Sequence, residues 1–163
     1  MVRGPLTKIA LEDYGYTIPN LYGDPGILLS EIYNPIVEKK YKYGVIYHAS
    51  EKKKKILDDS VLYIDVATEN YKFFVEQLKS VEKIISSSLH GIILAEAYGI
   101  EAVLLRPPKD MTKYYDWYYS TKRYDFPIAE NLEGAKKIKA VAIPDLIEMR
   151  KVIKETFPYD LYE

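Results

Sequence analysis

KIISSSLHGIILAEAYGIEAVLL, residues Lys83 to Leu105, reads as strand, tight turn, helix and second strand. Ile84 and Ile85 give the first strand its β-branched apolar run. Ser86-Ser87-Ser88-Leu89-His90-Gly91 form the turn, and Ile92, Ile93, Leu94, Ala95, Ala97 and Tyr98 continue as a helix that Gly99 closes. In such a βα unit the turn lies at the carboxyl end of the strand, where open α/β sheets bind ligands. The helix start adds unpaired N–H groups and a positive dipole end. Small hydroxyl residues and a histidine at that point suit an anion. On spacing alone a plainer reading stays open, in which the serines cap the helix and His90 is an ordinary first-turn residue.

Outward from that unit, the segment 3–14 toward the amino end predicts a helix with Pro5 at its first position, Arg3 at its mouth and Gly15 as its stop. Residues 18–23 suit a short strand or extended loop, and Asp24-Pro25 suit the start of a helix that ends at Asn34-Pro35, with Asp24 as its N-cap. Gly44 to His48 is a short buried strand. Its His48 and the turn's His90 are the only two histidines, and they face one crevice if their strands are neighbours. Lys52 to Lys55 read as a solvated face rather than an attractor of anionic glycan or membrane. Val61 to Val66 is a strand, and 70–80 a helix with Tyr71, Phe74, Val75 and Leu78 on one face. This alternation predicts an open parallel Rossmann-like sheet with helices on both faces, right-handed crossovers and a single α/β domain over 1–163.

Past the quoted stretch, Arg106-Pro107-Pro108 ends a strand. The aromatic run 111–120 suits packing onto the domain, with Trp117 and Tyr118 as the alternatives for stacking on a sugar ring. Residues 122–127 read as loop, in which Arg123 is a spare cation, and 131–143 as a helix with a short strand. After Pro144, Asp145 and Glu148 have capping-box spacing, and Leu146, Met149, Ile153 and Phe157 line one face of a last helix.

With 48% hydrophobic and 29% charged residues and a net charge of −1 over 163 residues, the chain has material for a real core. That balance argues against a nucleic-acid binder. The absence of cysteine excludes disulfides, thiolate metal sites and a cysteine nucleophile. The opening MVRGPLTKIALEDYG has no apolar signal core, and no stretch approaches the ~18 apolar residues of a membrane span. A cytoplasmic, not membrane-spanning protein is expected. No carboxylate pair, histidine-rich metal cluster or Ser-His-Asp spacing stands out, and the adjacent Asp58 and Asp59 point apart. No metal and no cofactor are expected.

The run Ile85 to Ile92, followed by Ala95-Glu96-Ala97-Tyr98-Gly99-Ile100, resembles the signature of the polysaccharide pyruvyltransferase family. Val2 to Thr7, Gly23-Asp24-Pro25-Gly26, Tyr43 to His48 and Tyr115-Asp116-Trp117-Tyr118-Tyr119-Ser120 match in the family's order. Many members carry Arg directly before Leu-His-Gly, where this chain has Ser88. The resemblance covers only the carboxyl half of a two-domain, glycosyltransferase-B-like enzyme. It implies transfer of a pyruvyl unit from phosphoenolpyruvate to a sugar, usually as a ketal across two hydroxyls, the acceptor being a glycan or lipid-linked sugar. On the same ground Arg3 binds the donor anion; failing it, Arg106 can supply the charge. The turn residues Ser87, Ser88, Leu89 and Gly91, together with His48, contact substrate. His90 acts as acid/base or phosphate ligand. A separate amino-terminal-half subunit or a homo-oligomer then completes the site. A non-catalytic anion-binding remnant and the nucleotide-binding half of a split glycosyltransferase are the alternatives.

Overall fold

The strands are β1 (Tyr41–Ile46), β2 (Val61–Tyr63), β3 (Val81–Ser86), β4 (Glu101–Leu105) and β5 (Ile128–Ala129). They pair in parallel throughout, in the order β2-β1-β3-β4-β5. The chain leaves β1 for β2 on one side and then crosses back to β3 on the other. Connections therefore diverge between β1 and β3, and a crevice opens at the carboxyl ends of those strands. The computed structural model describes residues 1–51, 57–108 and 110–161, so the Lys52–Lys55 reading lies outside the described residues.

The helices are α1 (Pro5–Asp13), α2 (Leu29–Ile32), α3 (Tyr71–Lys79), α4 (Leu89–Ala97), α5 (Thr112–Ser120), α6 (Leu132–Lys137) and α7 (Ile147–Thr156). One core, beneath α3, α4 and α5, holds Ile46, Ile84, Leu104, Phe74, Ile92 and Trp117. The other lies beneath α6, where Val45, Ile85, Val103 and Leu105 meet Leu132 and Ala135. Alternate residues of β3 and β4 thus feed opposite faces, and both faces carry helices, as the α/β reading requires.

α4 is buried on nearly every side, because the turn Pro25–Leu28, α2 and α7 form a further layer over it. Arg150 of α7 donates to the Ala97 carbonyl at 3.0 Å and to Ser30 Oγ at 3.1 Å, tying that layer to the carboxyl end of α4. Gly99, at φ +70, closes α4 so that Gly99 N bonds Glu96 O at 3.1 Å and Ile100 N bonds Ala95 O at 2.9 Å. Among the described residues no helix is long and apolar enough to cross a membrane.

Several local expectations change. Residues 111–120 contain helix α5, in which Tyr114, Trp117 and Tyr118 fall at i, i+3 and i+4 and are almost wholly buried. Neither Trp117 nor Tyr118 can stack on a sugar. Trp117 Nε1 donates to Glu96 Oε2 at 2.8 Å, and Arg123 reaches the same carboxylate at 2.5 and 2.9 Å while lying 4.5 Å over the Tyr118 ring. Arg123 is therefore the partner of a buried charge, not a spare cation.

The short strand expected within 131–143 is β5, which precedes α6. Two residues carry no periodicity, and only pairing with Leu104 and Leu105 makes them a strand. β2 ends at Tyr63 rather than Val66. Asp145 Oδ1 accepts from Ile147 N at 2.9 Å, but α7 begins with Leu146 as its cap, so Glu148 stands out of register for a capping box. Phe157 lies past the end of α7, half exposed. Asp24 does cap, accepting from Gly26 N at 2.9 Å, and a 3-10 turn precedes α2 there.

Candidate anion-binding site

Ser86 builds the turn after β3. Its buried hydroxyl donates to the Ser88 carbonyl at 2.8 Å and accepts the Ser88 amide at 3.0 Å, which folds the chain sharply into α4. α4 approaches closely because position 91 is glycine: a Cβ there would stand 2.3 Å from Ser86 Oγ and 3.0 Å from Ile46 Cγ2. Gly91 thus contributes close packing. Ser87 also turns inward. Its hydroxyl accepts the His48 amide at 2.9 Å and donates to Glu51 in a short bond, while Glu51 accepts the same His48 amide at 2.8 Å. These bonds fasten the loops after β1 and β3 to one another. Tyr114 of α5 adds a third element by donating to the Ser87 carbonyl at 2.5 Å. Burial pushes that phenol up to about 12, so it stays a donor at neutral pH.

Above this base lies a cavity of about 430 Å³ at the carboxyl ends of β1 and β3. Arg3, His48, Ser88, Leu89 and His90 line it together with Lys113. Leu29, Val66, Phe74 and Leu94 form an apolar wall, with Tyr71 also on the lining. The two strands that carry the histidines are neighbours, and both rings reach the same cavity. The Ser88 hydroxyl lines the cavity and makes no cap bond to α4. The His90 ring is exposed on the first turn of α4 and has no hydrogen bond among the described residues. Of the seven residues singled out in the sequence, five meet here; Ser87 and Gly91 support the wall from behind. Arg106 is elsewhere, held by Glu130 through bonds of 2.5 to 2.8 Å.

Arg3 is held from a distance in sequence. Val2 pairs with Tyr22 in a parallel bridge, and α1 starts two residues after Arg3. Asp116 of α5, buried, accepts from Leu6 N at 2.8 Å, Thr7 N at 3.1 Å and Thr7 Oγ1 at 2.5 Å, so it caps α1 across the fold. The same carboxylate lies 3.5 Å from Arg3 Nε, which is buried without a hydrogen bond.

Asp116, Glu51 and Lys113 were not recognised as site residues in the sequence. The available signal was a single carboxylate inside an aromatic run, with a lysine three positions before it on the same helix.

Together the fold and this wall define a doubly wound α/β protein with a cation-lined crevice at its switch point. The sequence profile of the polysaccharide pyruvyl transferase family matches residues 1–108 of the 163, and the chain belongs to that family. An uncharacterized protein of Acanthamoeba polyphaga mimivirus is 37% identical over 132 residues, a span covering 72% of this chain and 46% of that protein. The chain thus spans under half the length of that relative. No solved structure matches it.

Proposed function

We propose that this chain carries the donor site of a cytoplasmic pyruvyltransferase, which moves the pyruvyl unit of phosphoenolpyruvate onto two hydroxyls of a glycan or lipid-linked sugar as a ketal. The observation that supports it is the convergence of Arg3, Ser88 and His90 on one wall at the start of α4. Phosphoenolpyruvate carries a carboxylate and a phosphate, and a guanidinium, a free hydroxyl and the first amides of a helix are donors shaped for such groups.

The reaction balances on two protons. One is delivered to the methylene carbon of the enol, creating a carbon that a sugar hydroxyl attacks. The departing phosphate and the second hydroxyl then exchange places at that carbon. Two hydroxyl protons are released, one matching the proton given to carbon and one leaving with phosphate. An imidazole without a competing partner can deliver or remove such a proton, and His90 is assigned that role. Acceptor contacts beyond this wall are assigned to a partner half or a second copy.

Calorimetric titration of the purified chain with phosphoenolpyruvate, beside His90→Ala and a nucleotide-sugar control, tests the proposal. Binding of phosphoenolpyruvate that weakens in His90→Ala, with no response to nucleotide sugar, is the expected result. Equal binding by His90→Ala removes His90 from the site. Nucleotide-sugar binding without phosphoenolpyruvate binding overturns the reading in favour of a split glycosyltransferase half.

A further inference from the structure

Two hydrogen-bond donors face one another on the cavity wall with no acceptor between them. Ser50 sets two groups on His48 Nδ1: its amide donates at 3.2 Å, and its hydroxyl, which can donate as well, lies 2.8 Å away. With Nδ1 accepting from that amide, the ring hydrogen is assigned to Nε2. Nε2 faces the Lys113 ammonium at 3.3 Å. An ammonium offers hydrogens and no lone pair, so neither group satisfies the other.

Lys113 has no carboxylate partner among the described residues, and it lies 5.2 Å over the Tyr114 ring. Asp110, which lines a small hollow together with His48 and Lys113, makes no ion pair with Lys113 and accepts from Thr112 Oγ1 at 2.9 Å. Arg3, the other cation of the wall, is accompanied by Asp116. The uncompensated positive charge of the cavity is thus concentrated at Lys113.

We infer that His48 and Lys113 form a two-pronged clamp for a single oxyanion, the phosphoryl group of the donor. An oxygen about 2.8 Å from each nitrogen occupies the apex of a triangle whose base is the 3.3 Å separation. There it accepts from both donors at once. Lys113 supplies charge and His48 direction, and both sit on supports already fixed: His48 by the Ser87 and Glu51 bonds to its amide, Lys113 by its neighbour Tyr114 on the Ser87 carbonyl. His48 then binds, and proton transfer falls to His90. The identity of the phosphate rests on the donor reading above, whereas the clamp rests on the two facing donors.

The experiment follows both imidazoles by nitrogen NMR while the purified chain is titrated with inorganic phosphate and, separately, phosphoenolpyruvate. Wild type, Lys113→Met, Lys113→Arg and His48→Ala are compared, with thermal melts confirming that each is folded. His48 is expected with its hydrogen on Nε2, and phosphate is expected to shift that resonance. Lys113→Met, which keeps the stem over Tyr114, should lose about ten- to a hundredfold in phosphate affinity, and Lys113→Arg should recover most of it. A hydrogen on Nδ1, phosphate bound equally well by folded Lys113→Met, or silence toward both ligands overturns the clamp. Phosphoenolpyruvate binding untouched by Lys113→Met overturns the clamp and leaves the donor reading standing. Phosphate binding that needs both residues, without affinity for phosphoenolpyruvate, leaves the clamp standing and overturns the donor reading.

Discussion

Replacing Asp116 by alanine strips one buried carboxylate from four groups at once: the Leu6 and Thr7 amides, the Thr7 hydroxyl and the Arg3 guanidinium. Loss of a helix cap costs about 1 kcal/mol, and a hydrogen bond to a charged group is worth about 1.5–3 kcal/mol. These contributions overlap, and removing one partner from a buried ionic cluster costs about 3–5 kcal/mol in all. At a slope of about 2 kcal/mol per molar urea, the unfolding midpoint falls by about 1.5–2.5 M. α1 has no fully buried residue, so it can also let go before the rest of the domain does. That outcome appears as faster amide exchange in Leu6, Thr7 and Lys8 with a smaller midpoint shift. Asp116→Asn keeps an acceptor for the two amides and loses only the charge, so about 1–2 kcal/mol is expected. In both variants Arg3 loses its anchor, and affinity for phosphoenolpyruvate should fall with it. Urea unfolding, amide exchange and calorimetry on the same samples read all three effects. An unchanged midpoint for Asp116→Ala together with unchanged exchange in α1 would refute the view that α5 holds α1 and Arg3 in place.

Gly91→Ala puts a methyl 2.3 Å from Ser86 Oγ, so either α4 shifts or Ser86 surrenders its bonds to Ser88; a loss of about 1–3 kcal/mol in thermal unfolding is expected, and a neutral effect would show that the turn is looser than described. Tyr114 keeps its proton up to about 12, against 10.0 for the free phenol. The unfolded chain therefore gives up that proton first, and stability contributed below pH 10 is lost between about pH 10 and 12. Tyr114→Phe should cost about 1 kcal/mol at neutral pH and show a shallower alkaline decline in urea midpoints, and parallel pH curves for the two proteins would count against that assignment.

The element that anchors the site was legible because its signals are local. The β-branched run, the serine turn, the apolar helix and the closing Gly99 all act within a few residues, and the alternation of such units implied a parallel sheet. His48, Ser88, Leu89 and His90 could be placed near one crevice by position relative to strand ends, whereas Arg3 joined them only through the family resemblance. Less visible were the residues that face them from other elements. Lys113 and Asp116 belong to α5, whose aromatic composition pointed to packing and hid its polar edge. Arg123 looked unassigned because its partner, Glu96, lies on α4, inside the core.

What the sequence determined by itself is therefore the set of βα units, the ends at which ligands can bind and the histidines placed there, since periodicity and turn chemistry depend only on near neighbours along the chain. Strand order, the two-residue β5, the inward turn of Ser87, the packing role of Gly91 and the pairing of His48 with Lys113 were decided by tertiary structure. Each depends on which groups meet across the fold, and hydrogen-bond donors, acceptors and charges find those partners only after the sheet and its helices have closed over one another.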